Sequence, residues 1–459
     1  MCDAGTSISA FLDFAGREYS IGYQIIRKAG PAGFTEPQGN RTRIRHMRVY
    51  PYSERGEAEI GTRGAVRAYL EVEMEIEIGL GKSGRRGYGL DEISVVPSRR
   101  TRDADDVDIS WELAGHRFEL PFLASAMDAV VDVPMAIAIG KLGGLAVLNL
   151  EGLQTRYEDP KPVYEEIAAF SDQEATQGMQ RLYREPIKEE LIDRRIREIK
   201  AGGVVAAASL TPQRVEQYYR IALEAGLDVM VIQGTVISAE HVSTRTEPLN
   251  LKKFIAELPI PSIVGGCASY STSLHLMRTG AVGVLVGVGP GAACTTRGVL
   301  GIGVPQATAL ADAAAARVRH LTETGNYVHV IADGGMRTGG DIAKAVACGA
   351  DAVMLGSPVA AAKEAPGLGY HWGMATFHPE LPRGTRVRTQ QRWSIEEILV
   401  GPAHENDGTV NLFGALRMSL ATCGYENIRD FQRAEVMIAP AVRTEGKALQ
   451  FEQGVGMIK

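Results

Sequence analysis

The sequence predicts an α/β protein built as a (β/α)8 TIM barrel. Three observations carry that prediction. From residue 118 onward, eight short β-branched or aliphatic runs recur, each ending in small or polar residues. Helix-like stretches separate the runs, which is the pattern of parallel β/α units. Eight such units over roughly 240 residues suit a closed barrel better than an open doubly wound sheet. No G-x-G-x-x-G follows the first run, so the main reason to draw a Rossmann domain is missing.

Taken in order, the strand runs are Glu119–Ala124, Leu145–Asn149, Val204–Ala208, Val229–Gln233, Ser262–Gly265, Val282–Val286, Val328–Ala332 and Ala352–Leu355. They are nearly continuous in apolar residues, as strands covered on both faces should be. The helix-like stretches are Pro134–Leu142, Thr211–Ala225, Ser271–Gly280, Pro305–Thr324 and Gly340–Gly349. The last four close on or just before a glycine placed to cap a helix end. Between the second and third runs, Leu150–Ala201 is charged and helix-favouring, and predicts the outer helix plus one extra helix. It is too short for another domain of ordinary size.

Residues 1–73 differ from the rest of the chain. They mix Gly, Arg, Ser and Pro with little sustained periodicity, and a second methionine, Met74, opens the patterned part. The expected organisation is therefore a weakly ordered extension over 1–73 and a single barrel domain over 74–459.

Composition excludes several classes of function. The chain has 459 residues, 45% hydrophobic and 23% charged, which is ordinary for a globular protein. Its net charge is −6, whereas a nucleic-acid or membrane-surface protein carries a basic surplus or stripe. Arg41, Arg43, Arg45 and Arg48, and Arg99, Arg100 and Arg102, form only short basic clusters that read as solvated loops. Aromatics are 6% of residues, too few for a surface that stacks single strands. No apolar run approaches the ~20 residues that span a bilayer, and no secretory signal is visible. Five cysteines without C-x-x-C spacing predict reduced thiols and a cytoplasmic setting. The nine histidines form no H-x-x-x-H pair, so a catalytic zinc is not expected.

In a barrel, reacting groups sit on the loops after the strands. Here those loops begin with Ser125-Ala-Met127-Asp128, Asn149, Ser209, Gln233, Gly266-Cys267, Gly287, Asp333-Gly334-Gly335 and Gly356-Ser357. After the sixth run comes Gly287-Val-Gly-Pro-Gly-Ala-Ala-Cys294-Thr-Thr-Arg297, a glycine-rich turn presenting one cysteine, two hydroxyls and an arginine. A thiolate is a strong nucleophile, so Cys294 is the candidate catalytic group. Loops after the seventh and eighth strands form the usual barrel phosphate site, which points to Asp333-Gly-Gly and Gly356-Ser357. Asp333 can accept hydrogen bonds from ribose hydroxyls. Cys348 and Cys423 read as core; Cys267, at a strand end, reads as part of the site.

These residues resemble the IMP dehydrogenase/GMP reductase family. The matches are Gly87-Tyr-Gly-Leu-Asp-Glu-Ile-Ser-Val-Val-Pro97, Ser125-Ala-Met-Asp128, the Cys294 loop with Gly301-Ile-Gly-Val-Pro-Gln306, Asp333-Gly-Gly, Gly356-Ser and Gly373-Met374. The similarity is greatest to the bacterial subgroup that lacks paired CBS domains, which other members insert after the second strand. The resemblance implies that Cys294 attacks purine C2 of IMP, that hydride passes to NAD, and that water hydrolyses the thioimidate to XMP. It implies a proton relay at Thr296, ribose on Asp333, and phosphate on Gly335, Gly356 and Ser357. Ser125, Met127, Gly373 and Met374 would surround the nucleotide, with Gln233, Gly234 and Cys267 on the NAD side. The carbonyls of Gly289, Gly291 and Cys294 would hold a monovalent cation, K+, and the assembly would be a homotetramer.

Several positions depart from the family pattern. Ala292 replaces a phosphate-binding serine, Gln233 an aspartate, Cys267 an asparagine, and Arg383 a Glu or Gln near the base. The Arg-Tyr pair of the water-activating flap is missing, and His371, His378 and Glu380 are the candidate substitutes. Two alternatives to the dehydrogenase therefore stand: a purine-nucleotide reductase acting on GMP or XMP with NADPH, and a catalytically weak nucleotide-binding relative.

Overall fold

In a computed structural model of the chain, the described residues are 7–14, 17–24, 47–52, 67–72, 75–242, 248–373, 386–439, 447–453 and 455–456. They fall into two compact units, Met1–Arg86 and Gly87–Lys459. Within the first unit, Ser7–Phe14 pairs with Arg17–Gln24, Met47–Tyr52 with Arg67–Val72, and Glu75–Gly79 with Lys82–Arg85, all antiparallel. The rest of the 1–73 extension lies outside the described residues. The division at Gly87 falls later than Met74.

The second unit is a closed barrel of eight parallel strands in sequence order. They are β1 (Phe122–Ala124), β2 (Leu145–Asn149), β3 (Ala207–Leu210), β4 (Val229–Gln233), β5 (Ser262–Cys267), β6 (Gly283–Val286), β7 (His329–Asp333) and β8 (Ala352–Leu355). Pairing of β8 with β1, Leu123 opposite Met354, closes the ring. The fold predicted from the eight runs is the fold observed.

Side-chain alternation along each strand decides what reaches the barrel mouth. Val229 and Val231 pack in the barrel interior with Ile263, Leu285, Ile331 and Met354, while Met230 and Ile232 pack outward under the helices. Fully burying each such side chain contributes about 1.5–3 kcal/mol. The same period of two carries Gln233 and Asp333, next in phase after Val231 and Ile331, to the inner face at the C-terminal end. At the other end a hairpin, Trp111–Leu113 with His116–Phe118, plugs the barrel. Trp111 Nε1 donates to His329 Nδ1 at 3.1 Å.

Local signals fix the helix starts. Asp132, Ser269 and Thr338 each accept a main-chain N–H three residues on, opening helices Val133–Lys141, Tyr270–Met277 and Gly339–Ala347. Helix Gln306–Thr324 ends at Gly325, whose φ of +74° suits a residue without Cβ. No helix among the described residues is long and apolar enough to cross a membrane.

The Leu150–Ala201 connection holds one helix more than the sequence suggests. Lys161–Ala169 and Ala175–Leu182 precede the outer helix Glu189–Ala201. The first two bury Val163, Tyr164, Ile167, Met179 and Leu182 against Ala129, Leu153 and Trp372. This is a third, separate apolar cluster beside the C-terminal rim of the barrel.

Candidate active site

The loops after the strands interlock through glycines. A Cβ on Gly287 would lie 2.1 Å from the carbonyl oxygen of Asp333, and one on Gly335 would lie 2.9 Å from Pro290 Cβ. The cysteine loop after β6 therefore sits directly on the Asp333-Gly334-Gly335 turn after β7. A Cβ on Gly356 would meet Met127 Sδ at 2.7 Å and Ser125 Oγ at 3.5 Å, so the loops after β8 and β1 close together in the same way. Only glycine backbone allows approaches this tight.

Cys294 is exposed at this rim. Its main-chain N–H donates to the Gly291 carbonyl at 3.0 Å, forming the turn that presents the thiol. The thiol donates to Thr296 Oγ1 at 3.2 Å, and Thr296 itself is buried. An exposed thiol thus sits beside a fixed hydroxyl, the pairing a cysteine needs to pass on its proton if it is to act as a nucleophile. Gly289, with φ of +79°, lies against Arg297, whose Nη2 donates to the Val304 carbonyl at 2.6 Å.

Gln233 and Asp333 meet across the barrel mouth, Gln233 Nε2 donating to Asp333 Oδ2 at 3.2 Å. Burial pushes the Asp333 carboxyl up to about 7, against the opposing pull of that hydrogen bond. Gln233 Oε1 is buried and has no hydrogen-bond partner. Ser125 is buried, and Ser357 Oγ lies 2.8 Å from His371 Nε2.

The structure does not bring every expected residue into this group. Cys267 is 1% exposed and packs outward, its thiol 3.3 Å from Ser273 Oγ on helix Tyr270–Met277. The cause is an irregularity in β5. Gly265 pairs with Leu285 but Cys267 with Val286, so the strand spends an extra residue and Cys267 turns to the outer face. Burial pushes its thiol up to about 11. Gly234 extends the β4–β5 ladder, its N–H donating to Gly265 and its carbonyl accepting from Gly266, so its main chain is already committed. Gly373 is half-buried beside Trp372. Met374, His378, Glu380 and Arg383 lie outside the described residues.

Some of the machinery has no signal in the sequence. Tyr183, from the inserted helices, donates to the buried carboxylate of Asp128, which also accepts from Asn149 Nδ2 at 3.3 Å. Trp372 Nε1 donates to Tyr183 Oη at 2.7 Å. Burial pushes Asp128 up to about 6. This network ties the Met127-Asp128 loop to the segment just before Gly373. No local spacing announces partners so distant along the chain, and the one hint is the unusual length of the connection.

Residues 87–448 match the model of the IMP dehydrogenase / GMP reductase domain. An uncharacterized oxidoreductase of Mycolicibacterium smegmatis is 46% identical over 372 residues, covering 79% of this chain and 99% of the relative. Inosine-5'-monophosphate dehydrogenase of Methanocaldococcus jannaschii is 26% identical over 491 aligned positions, covering 79% and 94%. A crystal structure of an IMP dehydrogenase/GMP reductase-like protein from Corynebacterium glutamicum superposes with a TM-score of 0.76 at 45% identity, covering 79% of this chain and 97% of that one. Domain match, shared barrel and an exposed cysteine on the interlocked rim agree: the chain is an oxidoreductase of the IMP dehydrogenase/GMP reductase family.

Proposed function

We propose that this chain oxidises IMP to XMP with NAD, through a covalent adduct on Cys294. The carrying observation is the Cys294–Thr296 pair, an exposed thiol 3.2 Å from a buried hydroxyl, on a loop seated against Asp333. The Cys294 sulfur adds to C2 of the purine, its proton leaving towards Thr296. The C2 hydrogen then departs as hydride with its electron pair, leaving a thioimidate on Cys294. NAD, when bound, supplies the two-electron acceptor for that hydride. Water adds at C2, the C–S bond breaks, and XMP and the free thiol result. Asp333 holds the ribose hydroxyls, and Gly335, Gly356 and Ser357 hold the phosphate.

The site residues suit the two cofactors to different degrees. Main-chain carbonyls are neutral oxygen donors, so those of Gly289, Gly291 and Cys294 would suit a monovalent cation such as K+. Such an ion would order the turn that presents Cys294. On the NAD side, the unpartnered Gln233 Oε1 is the atom with capacity to spare. A homotetramer is part of the same reading.

A second reading is a purine-nucleotide reductase taking GMP or XMP with NADPH. It is favoured by His371, which is committed to Ser357 and Thr389 and so is not free to activate water. A reductase needs no such group. Absorbance at 340 nm separates the two. A rise with IMP plus NAD, with no change on adding GMP or XMP to NADPH, supports the dehydrogenase; the reverse supports the reductase. No turnover in any mixture, with nucleotide still bound, would leave a binding protein.

A further inference from the structure

Ser357, the first residue after β8's closing glycine, begins a chain of three side chains. Its Oγ lies 2.8 Å from His371 Nε2, and His371 Nδ1 lies 2.7 Å from Thr389 Oγ1. A short antiparallel pair, Tyr370–His371 with Val387–Arg388, fixes the spacing, and the Thr389 N–H donates to the Gly369 carbonyl at 2.7 Å. His371 is 2% exposed. Burial takes its imidazole down to about 4, so it is neutral at physiological pH.

A neutral imidazole has one donor nitrogen and one acceptor nitrogen, so the chain can run in two directions. In one, Thr389 donates to Nδ1 and Nε2–H donates to Ser357 Oγ. The Ser357 hydroxyl then has its accepting side occupied and its proton free to point into the site. In the other, Ser357 gives its proton to Nε2 and shows the site only lone pairs. An anion is held by the first arrangement and repelled by the second.

We propose that Thr389 and His371 are positioning residues that aim the Ser357 proton at a phosphate monoester, so that the site selects nucleotides over nucleosides. The inference rests on the reading of Ser357 as a phosphate contact. It adds that the contact depends on a hydroxyl 32 positions further along the chain, which touches no substrate. Substrate chemistry at Cys294, on the loop after β6, is separate from this chain of side chains, so the effect belongs in KM and Kd rather than in kcat.

The test compares IMP with inosine by equilibrium binding to the full-length protein, alongside KM and kcat. Thr389→Val keeps the shape and removes the donor; Thr389→Ser restores it; His371→Leu breaks the chain and His371→Gln keeps an N–H near Nε2. We expect Thr389→Val and His371→Leu to weaken IMP about tenfold, or ~1.4 kcal/mol, with inosine affinity and kcat unchanged. Thr389→Ser and His371→Gln should recover most of the loss. Equal losses for IMP and inosine would overturn the proposal, since that is what disturbed folding produces. If Ser357→Ala loses IMP affinity but Thr389→Val does not, the relay is wrong and the phosphate contact stands. If Ser357→Ala also leaves IMP unaffected, the phosphate reading itself fails.

Discussion

Gln233 Nε2 reaches Asp333 Oδ2 at 3.2 Å although the two residues are 100 positions apart and their strands, β4 and β7, are not neighbours in the barrel. The bond crosses the barrel mouth. It gives the buried carboxylate a side-chain donor, yet burial still holds Asp333 near 7. In the proposed ribose contact the ionised carboxylate accepts from both hydroxyls, and a proton on Asp333 takes one of those acceptors away.

Nucleotide affinity should therefore depend on pH around neutrality. Below about 7 the free protein carries a proton on Asp333 that must leave when ribose hydroxyls donate to the carboxylate. Affinity then rises with pH and levels off above that value. At pH 6 we expect IMP to bind about tenfold more weakly than at pH 8. Calorimetry at pH 6 in two buffers of different ionisation enthalpy should report proton release on binding. Asp333→Asn should bind weakly at every pH and show no slope. A flat wild-type profile between pH 6 and 8 would contradict this.

Gln233→Glu places a second carboxylate against the first. Like charges at this range disfavour joint ionisation, so the midpoint of the affinity profile should move upward by roughly a unit or more. Gln233→Leu removes the donor without adding charge and should shift it less. The same titration checks both, and an unchanged midpoint in Gln233→Glu would mean that the two side chains do not share the site in solution.

What is legible in the sequence is whatever repeats with a local period. The eight strand runs, the glycine-terminated helices and the place of Asp333 after the seventh run all follow from alternation and turn chemistry, and each has its counterpart in the barrel, the third strand lying a few residues later than its run, at Ala207–Leu210. Cys267 shows where that reasoning stops. By phase with Ile263 it should face the interior, but one irregular pairing after Gly265 reverses it, and an irregularity of pairing is a property of two strands rather than of one sequence. The Tyr183–Asp128 and Thr389–His371–Ser357 contacts are invisible for a related reason. They join residues brought together by the extra helices and by the short Tyr370–His371/Val387–Arg388 strand pair, and no local spacing marks one partner for the other.

The inserted helices should stabilise the site through Tyr183. Tyr183→Phe removes a donor from a buried carboxylate, a loss of about 1–3 kcal/mol. Its size should depend on pH in a definite sense. The Tyr183 hydroxyl favours ionised Asp128, which burial has already raised to about 6. Without that donor the folded-state carboxyl titrates higher still, while its unfolded value is unchanged. The penalty is then largest above about 6, where Asp128 is ionised in the wild type, and fades at lower pH, where both proteins carry the proton. Urea unfolding at pH 5 and pH 8 should show a clearly larger difference at pH 8. Equal differences would assign Tyr183 a packing role only.

Residues 1–73 should be dispensable for catalysis. The family match begins at Gly87 and every residue assigned to the site comes after it. A chain lacking 1–73 is expected to keep the wild-type turnover and melting temperature. Loss of activity, or a fall of several degrees, would show that the extension supports the barrel.

Cys294, on the loop after β6, and Cys267, at the end of β5, provide the decisive comparison. Cys294 is exposed with Thr296 beside it, whereas Cys267 is buried and its thiol is pushed up to about 11. An electrophilic 6-halopurine nucleotide should label Cys294 alone, and IMP should protect it. Cys294→Ser should lower turnover by roughly a thousandfold or more, about 4 kcal/mol of transition-state stabilisation, because a hydroxyl is a far poorer nucleophile near neutral pH. Nucleotide binding should survive, since the proposed ribose and phosphate contacts lie on Asp333, Gly335 and Ser357. Cys267→Ser should cost turnover little, and any effect should appear as stability, because it exchanges a core thiol for a hydroxyl against the helix layer. Peptide mapping of the labelled protein and kinetics of the two variants decide the matter. Label on Cys267, or near-normal turnover in Cys294→Ser, would remove the covalent mechanism while leaving the family assignment untouched.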